Sequence, residues 1–164
     1  MNIHRLKFAV AGVALAAAGL SANAANAATA SASGRAKTIG AVTVTNTSDL
    51  QFGTIAAAPS PSVVDIATNG TRTCGAGLGC TGSTTAADFA IGGTTGYVTT
   101  VSAPASITLT SGTNTMLALL NPTSGLVTLV AGAGSFSIGG TLLVGGAQAE
   151  GDYTGTFTAT VNYQ

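Results

Sequence analysis

From Ala28 onward the chain carries no stretch with the apolar spacing of an amphipathic helix. Instead, short runs rich in Val, Ile, Thr, Leu and Phe recur between clusters of Gly, Pro, Asn and Ser. That pattern predicts an all-β domain, a sandwich or a barrel. The candidate strands are Ala41–Thr45, Leu50–Ile55, Ser62–Ile66, Asp88–Ile91, Tyr97–Val101, Ser106–Thr110, Met116–Leu120, Leu126–Val130, Ser135–Ile138, Thr141–Val144 and Thr154–Tyr163. Met116–Leu120 also suits a helical turn, which Asn121-Pro122 stops in either case. Thr68–Ala87 reads as a long polar, glycine-rich excursion. No repeat of fixed period is present, which argues against a solenoid or a propeller.

The last candidate strand has the cleanest pattern. Tyr153, Gly155, Phe157, Ala159, Val161 and Tyr163 share one parity, and Thr154, Thr156, Thr158, Thr160 and Asn162 share the other. Successive side chains of a strand point to opposite faces, so aromatic and branched groups face inward and a threonine ladder faces out.

The N-terminus reads differently. His4, Arg5 and Lys7 precede an apolar run, Phe8–Leu20, followed by the alanine-rich Ser21–Ala28 with small-x-small sites at Ala22–Ala24 and Ala25–Ala27. This is the layout of a secretory signal peptide. The run is short of the roughly 20 residues that span a bilayer, so no membrane span is expected after cleavage. Cleavage is expected after Ala27, with Ala24 as the alternative. The expected organisation is a signal peptide over 1–27, an N-terminal extension over 28–38 and one β domain over 39–164.

Composition limits the chemistry of such a mature chain. Arg35, Lys37 and Arg72 face Asp49, Asp65, Asp88, Glu150 and Asp152, a small negative balance with no basic patch for nucleic acid. The single histidine, His4, leaves with the leader, and there is no tryptophan. Ser-His and Cys-His catalytic pairs cannot be assembled, and imidazole metal ligation is ruled out. The expectation is a protein with no enzymatic activity, no catalytic or metal-binding residues and no cofactor.

Cys74 and Cys80 are the only cysteines and flank a loop of five residues, three of them glycine. In an oxidising compartment they are expected to form an intrachain disulfide. Two further ligands for a metal are missing, and the spacing is not that of a redox C-x-x-C motif. A short closed loop implies a modest local staple.

Asp49-Leu50-Gln51-Phe52-Gly53-Thr54-Ile55 resembles the D-L-x-F-G-x-I signature of a secreted bacterial family, domain-of-unknown-function family 4402. The run from Phe136-Ser137-Ile138-Gly139-Gly140-Thr141-Leu142 through Gly151-Asp152-Tyr153-Thr154-Gly155-Thr156-Phe157 to Val161-Asn162-Tyr163 resembles its C-terminal half. The family is similar to spore-coat-U-like proteins and to chaperone–usher pilins. Such pilins end in an alternating strand with a penultimate tyrosine and a glycine fourteenth from the end, positions that Tyr163 and Gly151 match here. The resemblance implies an immunoglobulin-like, pilin-like β-sandwich completed by a donor strand. It also implies partners: homologous subunits in a polymer, a periplasmic chaperone and an outer-membrane usher. The localisation implied is export through the periplasm to the cell surface, as a fimbrial or surface-coat subunit serving adhesion.

On this resemblance Gly151, Tyr153, Gly155, Phe157, Ala159, Val161 and Tyr163 form the subunit- and chaperone-binding strand. The candidate donor lies in Ala28–Lys37, where Ala28, Ala30, Ala32, Gly34 and Ala36 alternate with Thr29, Ser31, Ser33, Arg35 and Lys37. Donor strands add backbone hydrogen bonds and fill pockets with alternate side chains. These side chains are small, and an unstructured tail is the competing reading.

Other motifs carry less. Gly75–Gly79 lacks the spacing of a dinucleotide loop. Glu150 and Asp152 read as a solvated turn before the last strand, in preference to a paired acid or cation site. Asp49 reads as a turn residue whose side chain bonds nearby backbone, and Leu50 and Phe52 as core. Asn46-Thr47-Ser48 and Asn69-Gly70-Thr71 match the glycosylation pattern but are expected to be plain loops. The alternative function is a self-contained secreted binding module, for instance for carbohydrate, and the scarcity of aromatic residues weighs against it.

Overall fold

The computed structural model describes residues 27–122 and 125–164, and twelve strands order these described residues. The expected signal peptide lies, apart from Ala27, outside the described residues. The chain divides into two units, Met1–Ala36 and Lys37–Gln164. In the first, residues 27–36 carry no strand and are exposed. The second is all-β, with no helix among the described residues.

The strands are β1 (Thr43–Ser48), β2 (Thr54–Ala56), β3 (Ser62–Ile66), β4 (Arg72–Cys74), β5 (Gly79–Thr81), β6 (Ala87–Gly92), β7 (Val98–Ser102), β8 (Ser106–Ser111), β9 (Asn114–Pro122), β10 (Leu126–Thr128), β11 (Ala133–Val144) and β12 (Thr160–Tyr163). They form curled antiparallel sheets. A seven-stranded sheet runs β1-β6-β11-β3-β4, with β9 also on β11 and β8 on β9. A three-stranded sheet runs β10-β7-β12, and β2 pairs with β5.

The longest strand, β11, organises the large sheet. Its first half pairs with β6, from Ala133↔Gly92 to Ile138↔Ala87. Its second half lies between β3 and β9, with Leu143 opposite both Val63 and Leu117. Ser135–Ile138 and Thr141–Val144, expected as two strands, are therefore one, and Gly139-Gly140 falls within it. A Cβ at Gly139 would collide with the Ile66 carbonyl oxygen, and one at Gly140 would lie 3.0 Å from that of Leu119. Glycine is needed there for close backbone approach, not for a turn. A tight hairpin precedes β11. Val130 and Ala133 exchange both backbone bonds around Ala131 and Gly132, whose φ values are 51° and 79°. Positive φ at both central residues is the type I′ pattern, matched to the twist of a hairpin.

Met116–Leu120 belongs to β9, so the helical alternative does not hold. Tertiary pairing on both sides, to β8 and β11, fixes it as extended chain. The long excursion at Thr68–Ala87 contains the short strands β4 and β5, which lack the apolar runs that mark longer ones.

Two groups of buried side chains form the core. The first joins Phe89, Ile91, Val101, Leu120, Leu129, Phe136, Ile138, Ala159 and Val161. Phe89 and Phe136, opposite each other across β6 and β11, stack at 4.9 Å. The second joins Phe52, Val64, Ile66, Leu109, Ala118, Leu142 and Val144. Leu50 packs against both groups, so Leu50 and Phe52 are core residues as expected. Gly53 follows with φ of 77°, and a Cβ there would lie 2.6 Å from the Thr81 carbonyl oxygen, which accounts for glycine after Phe52. Asp49 differs from expectation. Its carboxylate makes no hydrogen bond among the described residues, while its carbonyl accepts one from Thr85 Oγ1 at 2.6 Å.

Candidate functional site: the C-terminal segment and the edge of β8

The single strand expected over Thr154–Tyr163 is divided. Its first residue pairs with the large sheet, where Thr110 N–H donates to Thr154 O at 2.8 Å and Thr154 N–H donates to Thr110 O at 3.0 Å. Its last four residues form β12 and pair with β7 from Thr160↔Ser102 to Tyr163↔Thr99. Between them, residues 155–159 cross from one sheet to the other. No backbone hydrogen bond reaches those five residues among the described residues.

The alternation nevertheless holds along the segment except at Gly155, which is exposed. Ala159 and Val161 are buried, Tyr153, Phe157 and Tyr163 are half-buried, and Thr154, Thr156, Thr158, Thr160 and Asn162 are exposed. Phe157 meets Phe89 edge-on at 6.2 Å, and Tyr153 packs against the second core group. Side-chain burial therefore fixes the faces where the ladder is absent.

Two tyrosines are held by their hydroxyls. Tyr153 Oη donates to Ala149 O and accepts from Gln148 Nε2, each at 2.8 Å. Tyr163 Oη accepts from Thr94 N–H at 2.7 Å, and its ring meets Tyr97 edge-on at 5.6 Å. Lys37 Nζ lies 5.4 Å from the centre of the Tyr97 ring. Thr94 escapes the sequence reading because it sits in a loop with no motif of its own, and Tyr97 reads there only as the start of a strand.

Gly151 and Gly155 have local reasons. Gly151 has φ of 153°, and a Cβ there would collide with Ser111 Oγ. A Cβ at Gly155 would lie 2.8 Å from Thr108 O. The chain thus hugs β8 at Gly155 and then leaves it.

That departure leaves β8 with an unpaired edge. Ala105 O accepts from Leu120 N–H, whereas Thr110 bonds away from β9, toward Thr154. By antiparallel alternation the N–H and C=O of Ser106 and Thr108 point the same way as those of Thr110. They meet no backbone partner among the described residues.

Cys74 and Cys80 form the expected disulfide, with Cα atoms 6.5 Å apart. The bridge is more than a staple on a loop tip. It joins β4, in the seven-stranded sheet, to β5, in the two-stranded one. Arg72 braces the same junction through Nη1, which donates to Thr81 O at 2.7 Å and to Phe52 O at 3.2 Å. Sequence reading counted Arg72 only as charge, since nothing in its neighbours announces two carbonyl partners.

The remaining candidates stay apart. Ala28, Ala30, Ala32, Gly34 and Ala36 are exposed and outside any strand. Glu150 and Asp152 lie in an exposed turn. Among the described residues no three His, Cys, Asp or Glu side chains gather to hold a metal.

A family profile described as a domain of unknown function (DUF4402) matches residues 42–163. The chain belongs to this family. The match begins just before β1 and ends at the last residue of β12, so it takes in the twelve described strands and both core groups of this DUF4402 protein. No curated protein and no solved structure matches the chain.

Proposed function

We propose that this protein is a structural subunit of a surface polymer or coat, joined to its neighbours by strand addition and without catalytic activity. The observation that carries the reading is the unsealed seam between β8 and residues 155–159. Apolar side chains line it from within, yet the backbone on both sides lacks ladder partners. An extended segment from another copy would supply those bonds. Such a contact is head-to-tail and generates an open fibre, not a closed ring.

Residues 28–37 are the donor in this reading. They are exposed, unpaired in any strand and alternate in size. Their small side chains bury little apolar area, so backbone hydrogen bonds would carry most of the contact. Export, with an immunoglobulin-like sandwich, a periplasmic chaperone and an usher as the route, belongs to the same proposal. The Cys74–Cys80 bridge suits an oxidising compartment.

The test is a thermal melt of the chain beginning at Thr38, with and without a peptide of residues 28–37. A transition raised and sharpened by the peptide supports strand addition. A sharp melt indifferent to the peptide would mean that the fold is complete, and the reading would fall.

A further inference from the structure

The strands at the margins of the sheets differ in what they bury. β12 buries Val161, β8 buries Leu109, and β4 is tied through the Cys74–Cys80 bridge. Among the described strands of four residues or more, β1 alone holds no buried side chain. Its ladder to β6 runs from Thr43↔Gly92 to Ser48↔Asp88. Val44 and Asn46 stand opposite Ile91 and Phe89, which are buried, so they share the inward face with them. Both are nevertheless exposed, Val44 by 38 %. Thr43 and Thr45, on the other parity, are exposed as well.

Hydrogen bonds, not burial, hold this strand. Besides the ladder, Thr43 Oγ1 donates to Gly92 O at 3.4 Å and Thr47 Oγ1 to Asp88 O at 3.1 Å. The chain before it is fastened as lightly. Gly40 N–H donates to Thr94 Oγ1 at 3.0 Å, Lys37 lies over the Tyr97 ring, and Val42 is the one side chain of residues 37–48 packed against the core. Firm anchorage begins just after β1. Gln51 and Thr85 exchange both backbone bonds, Thr85 Oγ1 donates to Asp49 O, and Leu50 and Phe52 pack into the core. Immediately before that anchor the register shifts between Asn46 and Ser48, and Asp49 is exposed. A pivot at this point frees residues 37–48 and leaves the buried side chains in place.

We propose that β1 is an arm that copies of the chain swap, one laying its Thr43–Ser48 on the β6 of another. An arm that lifts away leaves the β6 edge unpaired, with Phe89 and Ile91 beside it, and an unpaired edge is a template for another strand. The strand that fits it is a second β1. The same register, both threonine bonds, the Gly40–Thr94 bond and the Lys37–Tyr97 contact are all remade in the neighbouring copy. Since the bonds broken in one copy form again in the other, the swap costs chiefly the freedom lost when two chains join. High local concentration offsets that loss. The swap uses neither the β8 edge nor residues 28–36, so it stands apart from the strand addition proposed above.

The experiment mixes two preparations of the chain beginning at Ala28. One carries a nitroxide on Thr45→Cys, an exposed site, while the bridged native cysteines take no label. The other is isotope-labelled for amide NMR and carries no nitroxide. The mixture is warmed to just below its melting transition and cooled. The expected result is broadening confined to Ala87–Gly92 of the isotope-labelled chain, with most of the signal lost at Ala90, the partner of Thr45, and restored when the nitroxide is reduced. Unchanged amide intensities would overturn the inference. So would equal broadening of β6 by a nitroxide on Asn114→Cys, an exposed site outside the arm, since the contact would then be non-specific. Broadening confined to residues 106–110 and 155–159 would overturn the swap and leave strand addition standing. Broadening over Ala87–Gly92 between chains beginning at Thr38, with a melt indifferent to the 28–37 peptide, would sustain the swap while strand addition failed.

Discussion

Two margins of the seven-stranded sheet are closed by different means. At β3 and β4 the closure is covalent and polar, with the Cys74–Cys80 bridge and the Arg72 guanidinium tying β4 to the β2–β5 ribbon. At β8 it rests on one pair of backbone bonds, Thr110 to Thr154, and on the side chains of residues 155–163. A margin held by bonds is specified locally and opens only when they break. A margin held by packing can exchange one extended segment for another, because burial is non-directional and the backbone there has no partner to lose.

Truncating Phe157 tests that contrast most severely. Phe157→Ala removes the ring that meets Phe89 and should cost about 3 kcal/mol, the low end for such a change because the ring is only half-buried. Amide exchange should rise over 155–163 and leave the β2–β5 ribbon protected. Equal loss of protection at both margins would mean one cooperative unit, and the contrast would vanish.

The braced margin should respond on a smaller scale. Reducing Cys74–Cys80 reopens a short loop and should cost about 2 kcal/mol on the chain-entropy account. The ribbon should remain docked, since the Arg72 bonds to Thr81 O and Phe52 O do not depend on the bridge. Denaturant melts with and without reductant, read against Arg72→Met in both states, separate the two ties. A full additive loss would show independent braces, and a larger joint loss would show coupling.

Sequence pattern reveals the fold class and the faces of the strands better than it reveals how the strands connect. The alternation Tyr153–Tyr163 correctly marks which side chains turn inward, because burial acts on side chains whether or not a ladder forms. It cannot show that the backbone changes sheets between Thr154 and Thr160, since that depends on where β7 and β8 lie. The same limit explains β11. Gly139-Gly140 resembles a turn in sequence, and only the crowding of the Ile66 and Leu119 carbonyls reveals it as mid-strand. The motif Leu50-Gln51-Phe52-Gly53 reads well for its two core side chains, though the strand expected over Leu50–Ile55 begins only at Thr54. Arg72 reads poorly because both its partners are carbonyls distant in the chain. The apolar row of Val63, Leu143 and Leu117 is invisible without the register, which brings three separate strands together.

The smallest effect concerns the last turn of the packed margin. Tyr163 Oη accepts the Thr94 N–H, and the ring rests edge-on against Tyr97. Tyr163→Phe keeps the ring and removes the acceptor, so a half-buried backbone donor is left without its partner. The expected cost is about 1 kcal/mol. The change should appear as faster exchange of the Thr94 amide, with β12 still paired to β7, because the Thr160–Tyr163 register does not use the hydroxyl. If β12 itself frayed, the hydroxyl would be a tie like Arg72, and the margin would be held by a bond after all. If only Thr94 responded, the segment would stand as one kept in place by its inward side chains. That is the condition under which an incoming strand could compete for the same edge.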